Sequence, residues 1–145
     1  MNALILAAGL GTRLKGIADD TPKPMLPIGQ FPLLDLLIKK LLKLNVNKII
    51  INTHHKAEVI EKFISEQPYH EKISLTHEEK LLGTAGTLRR HINFLALSSF
   101  IVMHGDNYFD DDLTTMIAAH KKQLNDSLIT MGTFVTREPE KCGTV

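Results

Sequence analysis

Short apolar runs separated by stretches of helical periodicity constrain the fold of this chain more than any other feature. Lys48–Thr53 reads Lys-Ile-Ile-Ile-Asn-Thr, with apolar residues in succession rather than in alternation. A strand without a polar face is buried on both faces, as strands are in a parallel sheet covered by helices. Residues 3–7 and Phe100–Met103 have the same character. Residues 33–44 predict a helix entered through Pro32 and ended by Asn45, with Asp35, Lys39, Lys40 and Lys43 leaving a broad apolar face. Lys56–Glu66 sets Val59, Ile60, Phe63 and Ile64 at helical spacing, and Thr84–Leu95 sets Ala85, Leu88, Ile92 and Leu95 on one helical face. Ile73–His77 alternates and predicts a half-buried strand. Asp111–Leu124 predicts a helix with acids where its dipole favours them, and Leu128–Val135 predicts a closing strand. This order implies an α/β fold: a Rossmann-like, three-layer α/β/α arrangement around a mainly parallel sheet. Its crossovers are expected to be right-handed, with ligand beyond the C-terminal ends of the strands.

A length of 145 residues suits one domain. Lys and Arg total 17 against 16 Asp and Glu, a net charge of +1. Such a balance provides no long-range field for nucleic acid or a membrane, so attraction for an anionic ligand must be local. One cysteine, Cys142, excludes an intrachain disulfide and reads as a small buried residue rather than a nucleophile. The apolar run after Met1 lacks a basic leader and is too short to span a membrane. A cytoplasmic protein is expected.

Three features fall at predicted strand ends. The first is Leu6-Ala7-Ala8-Gly9-Leu10-Gly11-Thr12-Arg13. Glycines allow close backbone approach, successive N–H groups cradle phosphate, and Arg13 offers a planar donor fork. A P-loop is excluded because G-x-x-x-x-G-K-[ST] is absent. A dinucleotide fingerprint needs glycine at position 14, where Leu14 stands, and an acid after the second strand, where Asn52, Thr53, His54 and His55 stand. An ordinary glycine turn remains the plain alternative. Further along the irregular Gly9–Pro32 stretch, Thr21-Pro22-Lys23-Pro24-Met25 presents a lysine between two prolines. Pro24 pushes Lys23 towards an extended conformation, and its ammonium is a compact charge suited to phosphate.

Together, LAAGLGTRL and TPKPMLPIG resemble the signature of sugar-phosphate nucleotidylyltransferases, whose usual form is close to G-x-G-T-R-L…P-K-P. The similarity extends over essentially the whole chain, including the Ile49-to-Glu61 segment, Leu82–Leu88 and Gly105-Asp106. Ala8 stands where many members have glycine, and Lys15-Gly16 replaces a common basic residue plus proline. The resemblance implies the nucleotide-diphospho-sugar transferase type of fold. Residues 1–145 would be its N-terminal, nucleotide-binding portion, shorter than the family's catalytic domains.

The second feature, Glu78-Glu79-Lys80-Leu81-Leu82-Gly83-Thr84-Ala85-Gly86-Thr87-Leu88, runs from a strand end into a helix start. By itself it reads as an N-cap by Thr84 with tight packing. The resemblance implies that Leu82, Gly83, Thr84 and Gly86 meet the nucleobase, partly through backbone groups. Which base is left open. The third feature is Gly105-Asp106, at the end of the buried strand from Phe100. A turn-forming aspartate is the plain reading. The resemblance makes Asp106 a Mg²⁺ ligand, with His104 replacing a frequent asparagine. Asp110, Asp111 and Asp112 read as helix-start acids. His54, His55, His77 and His104 lie near strand ends without zinc spacing, and His54 is a candidate for the pocket wall.

The resemblance implies transfer of a nucleoside monophosphate from a nucleoside triphosphate to a sugar 1-phosphate, releasing pyrophosphate, as in polysaccharide biosynthesis. Arg13, Lys23 and Asp106 would be catalytic. Leu6, Ala7, Ala8, Gly9, Gly11 and Thr12 would bind the nucleotide with Arg13 and Lys23. The partners would be these two substrates, and a homo-oligomer is compatible with the sequence. The alternative is a non-catalytic or truncated nucleotide-binding module of the same fold.

Overall fold

A computed structural model describes residues 1–9, 21–96, 98–123, 128–138 and 140. They fall into two compact units, Met1–Phe109 and Asp110–Val145.

The first unit is built on four parallel strands: β1 (Asn2–Leu6), β4 (Ile49–Thr53), β5 (Ile73–His77) and β6 (Phe100–His104). Their spatial order is β5-β4-β1-β6. The register sets Leu4 beside Ile50 and Val102, and Leu6 beside Asn52 and His104. Pleating sends Leu4, Leu6, Ile50 and Phe100 to one face. There they pack with Leu88, Phe94 and Leu95 from α3 (Gly83–Arg90) and α4 (Ile92–Leu95). The opposite face carries Ala3, Ile5, Ile49 and Ile51, all fully buried. That leaves α1 (Leu33–Lys43) and α2 (Ala57–Ser65) to cover it, and Leu34, Leu37, Ile38, Leu41 and Ile60 of these helices are equally buried. The unbroken Ile49-Ile50-Ile51 run thus has a simple cause: each face of β4 meets a different helix layer. Burying one such side chain stabilises the fold by about 1.5–3 kcal/mol.

Several local expectations hold. α1 begins directly after Pro32 and ends at Lys43 with Leu44 as its C-cap; Asn45 follows with a φ of +53°, a left-handed conformation that asparagine tolerates. In the second unit Asp112 caps α5 (Leu113–Lys122), accepting from the backbone N–H of Thr114 at 2.9 Å.

Other expectations need correction. Asp35 is not on a solvated face of α1; it is buried, accepting from Tyr69 Oη at 2.6 Å and Lys39 Nζ at 2.7 Å. Two donors replace the water that the carboxylate loses. The helix expected over Thr84–Leu95 breaks at His91, so Ile92 turns to solvent while Leu95 stays in the core. α3 begins one residue before Thr84, and its N-cap is Leu82. Lys23 is not extended. It opens a 3-10 turn, Lys23–Met25, in which Met25 N–H donates to Pro22 O and Leu26 N–H to Lys23 O. These two backbone bonds outweigh the local preference before Pro24. The turn leads into a two-stranded antiparallel hairpin, β2 (Pro27–Ile28) and β3 (Phe31–Pro32), within the stretch read as irregular. Leu128–Val135 forms no strand; Leu128 and Val135 are almost wholly exposed. A strand exists only by pairing, and the described residues of the second unit supply one helix and no strand to pair with.

Candidate functional site

The C-terminal ends of all four parallel strands open onto one cleft of about 260 Å³ in the first unit. Leu6, Ala7, Ala8 and Gly9 form one wall as the chain leaves β1. Leu81, Gly83, Thr84 and Thr87 form another at the start of α3, and Lys23, Pro24, His104 and Asp106 close a third side. Asn52 and Glu78 lie between them. Open α/β sheets bind ligands at this end.

Lys23 and Asp106 are 83 positions apart, yet Lys23 Nζ lies 3.5 Å from Asp106 Oδ2. Two structural devices bring them together. The 3-10 turn holds the lysine against the cleft, and Gly105 brings the end of β6 close to that of β1. Gly105 N–H donates to Leu6 O at 2.8 Å. A Cβ on Gly105 would lie 3.0 Å from Leu6 O and 3.3 Å from Ala7 Cα, so a side chain there would push Asp106 away from the glycine-rich turn.

The floor of the cleft is a polar network absent from the sequence reading. Asn52 Oδ1 accepts from Ala7 N–H at 2.8 Å. Asn52 Nδ2 donates to Glu78 Oε1 at 2.9 Å and to Thr87 Oγ1 at 3.3 Å. Thr87 Oγ1 donates to Glu78 Oε1 at 2.6 Å, and Leu82 N–H donates to Glu78 Oε2 at 3.1 Å. Glu78 is only 1% exposed. Burial alone would raise its pKa. Hydrogen bonds from Thr87, Asn52 and Leu82, with the positive charge of Arg90, outweigh burial and hold the carboxyl below its usual range. The clue in sequence was slight: Asn52 is a polar residue inside a buried strand, and Glu78 follows the last residue of another.

Of the other predicted residues, Leu82 and Gly86 belong to the start of α3 but are not among the residues lining the cleft. A Cβ on Gly86 would lie 2.8 Å from Leu82 Cβ, so this turn needs glycine there. Gly83 has φ +69°, which also favours glycine. His54 is not in the cleft lining. Its Nδ1 lies 2.6 Å from Glu78 O, and since a carbonyl only accepts, Nδ1 carries the proton. Its ring stacks on His77 with centroids 6.2 Å apart. Gly11, Thr12, Arg13 and Cys142 lie outside the described residues.

The family model described as nucleotidyl transferase matches residues 2–145. The chain belongs to the nucleotidyl transferase family. Over its full length it is 35% identical to a D-glycero-α-D-manno-heptose 1-phosphate guanylyltransferase of Campylobacter jejuni and 31% identical to one of Aneurinibacillus thermoaerophilus. It spans 62% of the length of each. It is also 36% identical, over 85% of its length and 35% of the relative's, to a UTP–glucose-1-phosphate uridylyltransferase of Synechocystis. Among solved structures, HddC from Yersinia pseudotuberculosis superposes with a TM-score of 0.70 at 36% identity, over 82% of this chain and 53% of that one. A putative glucose-1-phosphate thymidylyltransferase from Bacillus anthracis gives 0.74 at 30%, over 85% and 51%. The Rossmann-like fold of this nucleotidyl transferase chain is therefore shared with relatives named for three different nucleotides.

Among the described residues no group of three or more His, Cys, Asp or Glu is gathered to hold a metal. A Mg²⁺ site does not require one, since Mg²⁺ commonly takes one or two carboxylates and fills its octahedron with phosphate oxygens and water. The Asp106 side chain is 41% exposed in the cleft wall and fits that role. No helix among the described residues is long and apolar enough to cross a membrane.

Proposed function

We propose that residues 1–145 are the nucleotide-binding portion of a sugar-1-phosphate nucleotidylyltransferase, which joins a nucleoside triphosphate to a sugar 1-phosphate and releases pyrophosphate. The observation that carries this reading is the meeting of Lys23 and Asp106 at 3.5 Å in a cleft between the glycine-rich turn and the start of α3. That cleft offers an ammonium and a carboxylate, and among its described residues there is no Ser–His or Cys–His pair to serve as a nucleophile. The chemistry needs none. A sugar phosphate oxygen is already anionic near neutral pH and attacks the α-phosphorus directly, while pyrophosphate leaves in line. The work left to the protein is positioning and charge neutralisation.

In this reading Ala7, Ala8 and Gly9, with Gly11, Thr12 and Arg13, bind the triphosphate. Lys23 orients the reacting phosphates. Gly83 and Thr84 line the base pocket, and Leu82 and Gly86, in contact with each other, hold the shape of that helix start. Asp106 would hold Mg²⁺, which when bound neutralises charge on the phosphates. The two full-length matches to heptose 1-phosphate guanylyltransferases favour GTP and a heptose 1-phosphate as substrates. The lone cysteine supports a cytoplasmic setting. A screen of triphosphates against sugar 1-phosphates, using the complete gene product and following pyrophosphate, tests the reading; residues 1–145 alone are expected to catalyse poorly. Release only when GTP and a sugar 1-phosphate are both present is the expected result. No release with any pair would refute it.

A further inference from the structure

The Asn52–Glu78–Thr87 network links groups that no local sequence feature links. It runs from Ala7 N–H, the first residue of the glycine-rich turn, through Asn52 and Glu78 to Leu82 N–H, the N-cap of α3. The turn and the helix start both line the cleft. A ligand with a base at one wall and phosphates at the other needs both at a fixed spacing. From this connectivity we infer that Glu78 is a positioning residue which, acting through Asn52, sets the distance between the wall that takes phosphate and the wall that takes the base. The inference rests on the nucleotide reading above for its ligand, but the coupling itself is a property of the fold.

The donor count makes the role specific. Three donors aim at the two oxygens of Glu78: Asn52 Nδ2 and Thr87 Oγ1 at Oε1, and Leu82 N–H at Oε2. A carboxylate accepts all three. Glutamine has one acceptor oxygen, so its amide must set a donor against Leu82 N–H or against Asn52 Nδ2. Rotating the Asn52 amide only moves the conflict to Ala7 N–H. One change removes it: an aspartate at position 52. In the pair Asn52→Asp with Glu78→Gln, the introduced glutamine accepts from Leu82 N–H and donates to the introduced aspartate. That aspartate also accepts from Ala7 N–H. Thr87 reverses its bonds, donating to the aspartate and accepting from the glutamine. The chain of bonds is complete again with its polarity inverted, and one negative charge is retained.

The test compares four proteins: wild type, N52D, E78Q and the double variant. Amide hydrogen exchange is followed by NMR at Ala7 and Leu82, with amides inside β1 as the internal reference. In E78Q, exchange at Ala7 should quicken about two- to tenfold, the effect of losing one hydrogen bond to a neutral amide. The β1 amides should hold their rates, and the double variant should restore protection at both walls. Affinity for GTP, read by calorimetry, should fall in each single variant and return in the double one. Unchanged protection at Ala7 in E78Q would overturn the inference, as would a double variant as loose as its parents. A wild-type protein that binds no triphosphate would instead refute the nucleotide reading, and the exchange rates would still decide the coupling.

Discussion

Replacing Lys23 with methionine separates fold from chemistry, because the two effects differ in size. The substitution keeps most of the stem and removes the charge. In the free protein the ammonium is 3.5 Å from Asp106 Oδ2, and the two side chains are 24% and 41% exposed. A pair so open to water contributes about 0.2–1 kcal/mol to folding. The melting temperature should therefore fall by no more than about 4 °C. In the proposed reaction the same ammonium would face several phosphate charges. Losing one preorganised electrostatic group of this kind costs about 10²–10³ in turnover, or roughly 3–4 kcal/mol. The assay is pyrophosphate release from GTP and a sugar 1-phosphate, with a thermal melt of the same sample. K23M should melt close to wild type and turn over at a small fraction of its rate. A variant that melts normally and releases pyrophosphate at the wild-type rate would refute the role given to Lys23. A large drop in melting temperature would show the contact with Asp106 to be mainly structural.

Three further outcomes are expected. Gly86→Ala brings a Cβ within 2.8 Å of Leu82 Cβ, so stability should drop by about 1–3 kcal/mol in chemical denaturation, with weaker GTP binding as Leu82 moves. Acid should destabilise the protein in two stages. Burial, then the charge of Arg90, holds His91 below its usual value of 6.5 against a weaker opposite pull from Glu78, and Glu78 itself lies below 4.5. Both folded pKa values are depressed, so the stability they lend is complete above the usual values and is lost as pH falls through the folded ones. Melts should decline from about pH 6.5 and more steeply below about pH 4.5; a flat profile down to pH 4 would count against both assignments. Burial, then the hydrogen bond to Asp35 and its charge, raises the pKa of Tyr69, so one of the two tyrosines should fail to ionise near pH 10 in an absorbance titration. That shift is upward, so the stability it lends is present below about pH 10 and lost as pH rises further. Tyr69→Phe should abolish the late step and cost about 1–3 kcal/mol, because Asp35 stays buried with one donor fewer.

Much of the fold was legible in the sequence because it depends on near neighbours and on repeat spacing. The run Ile49-Ile50-Ile51 announced a strand buried on both faces. Asn45 marked the end of α1 by tolerating a left-handed turn, and Asp112 marked the start of α5 by accepting from Thr114. The approach of Lys23 to Asp106 was also foreseeable in outline. Asp106 follows the end of β6, but Lys23 lies 17 positions past Leu6, so its place beside Asp106 was implied by the family resemblance rather than by strand order.

Tertiary structure decided what depends on register and on available partners. Asn52 meets Ala7 because β4 pairs with β1 in one register, and Glu78 meets Thr87 because α3 folds back over the strand ends. These contacts span 45 and 9 positions, and neither spacing is a repeat. Asp35 looked like a surface charge until Tyr69, 34 positions away, supplied its donor. Leu128–Val135 has the pattern of a strand and forms none among the described residues. Hydrophobic pattern is a property of one segment, whereas a strand is a relation between two, and only the folded chain says whether the second is there.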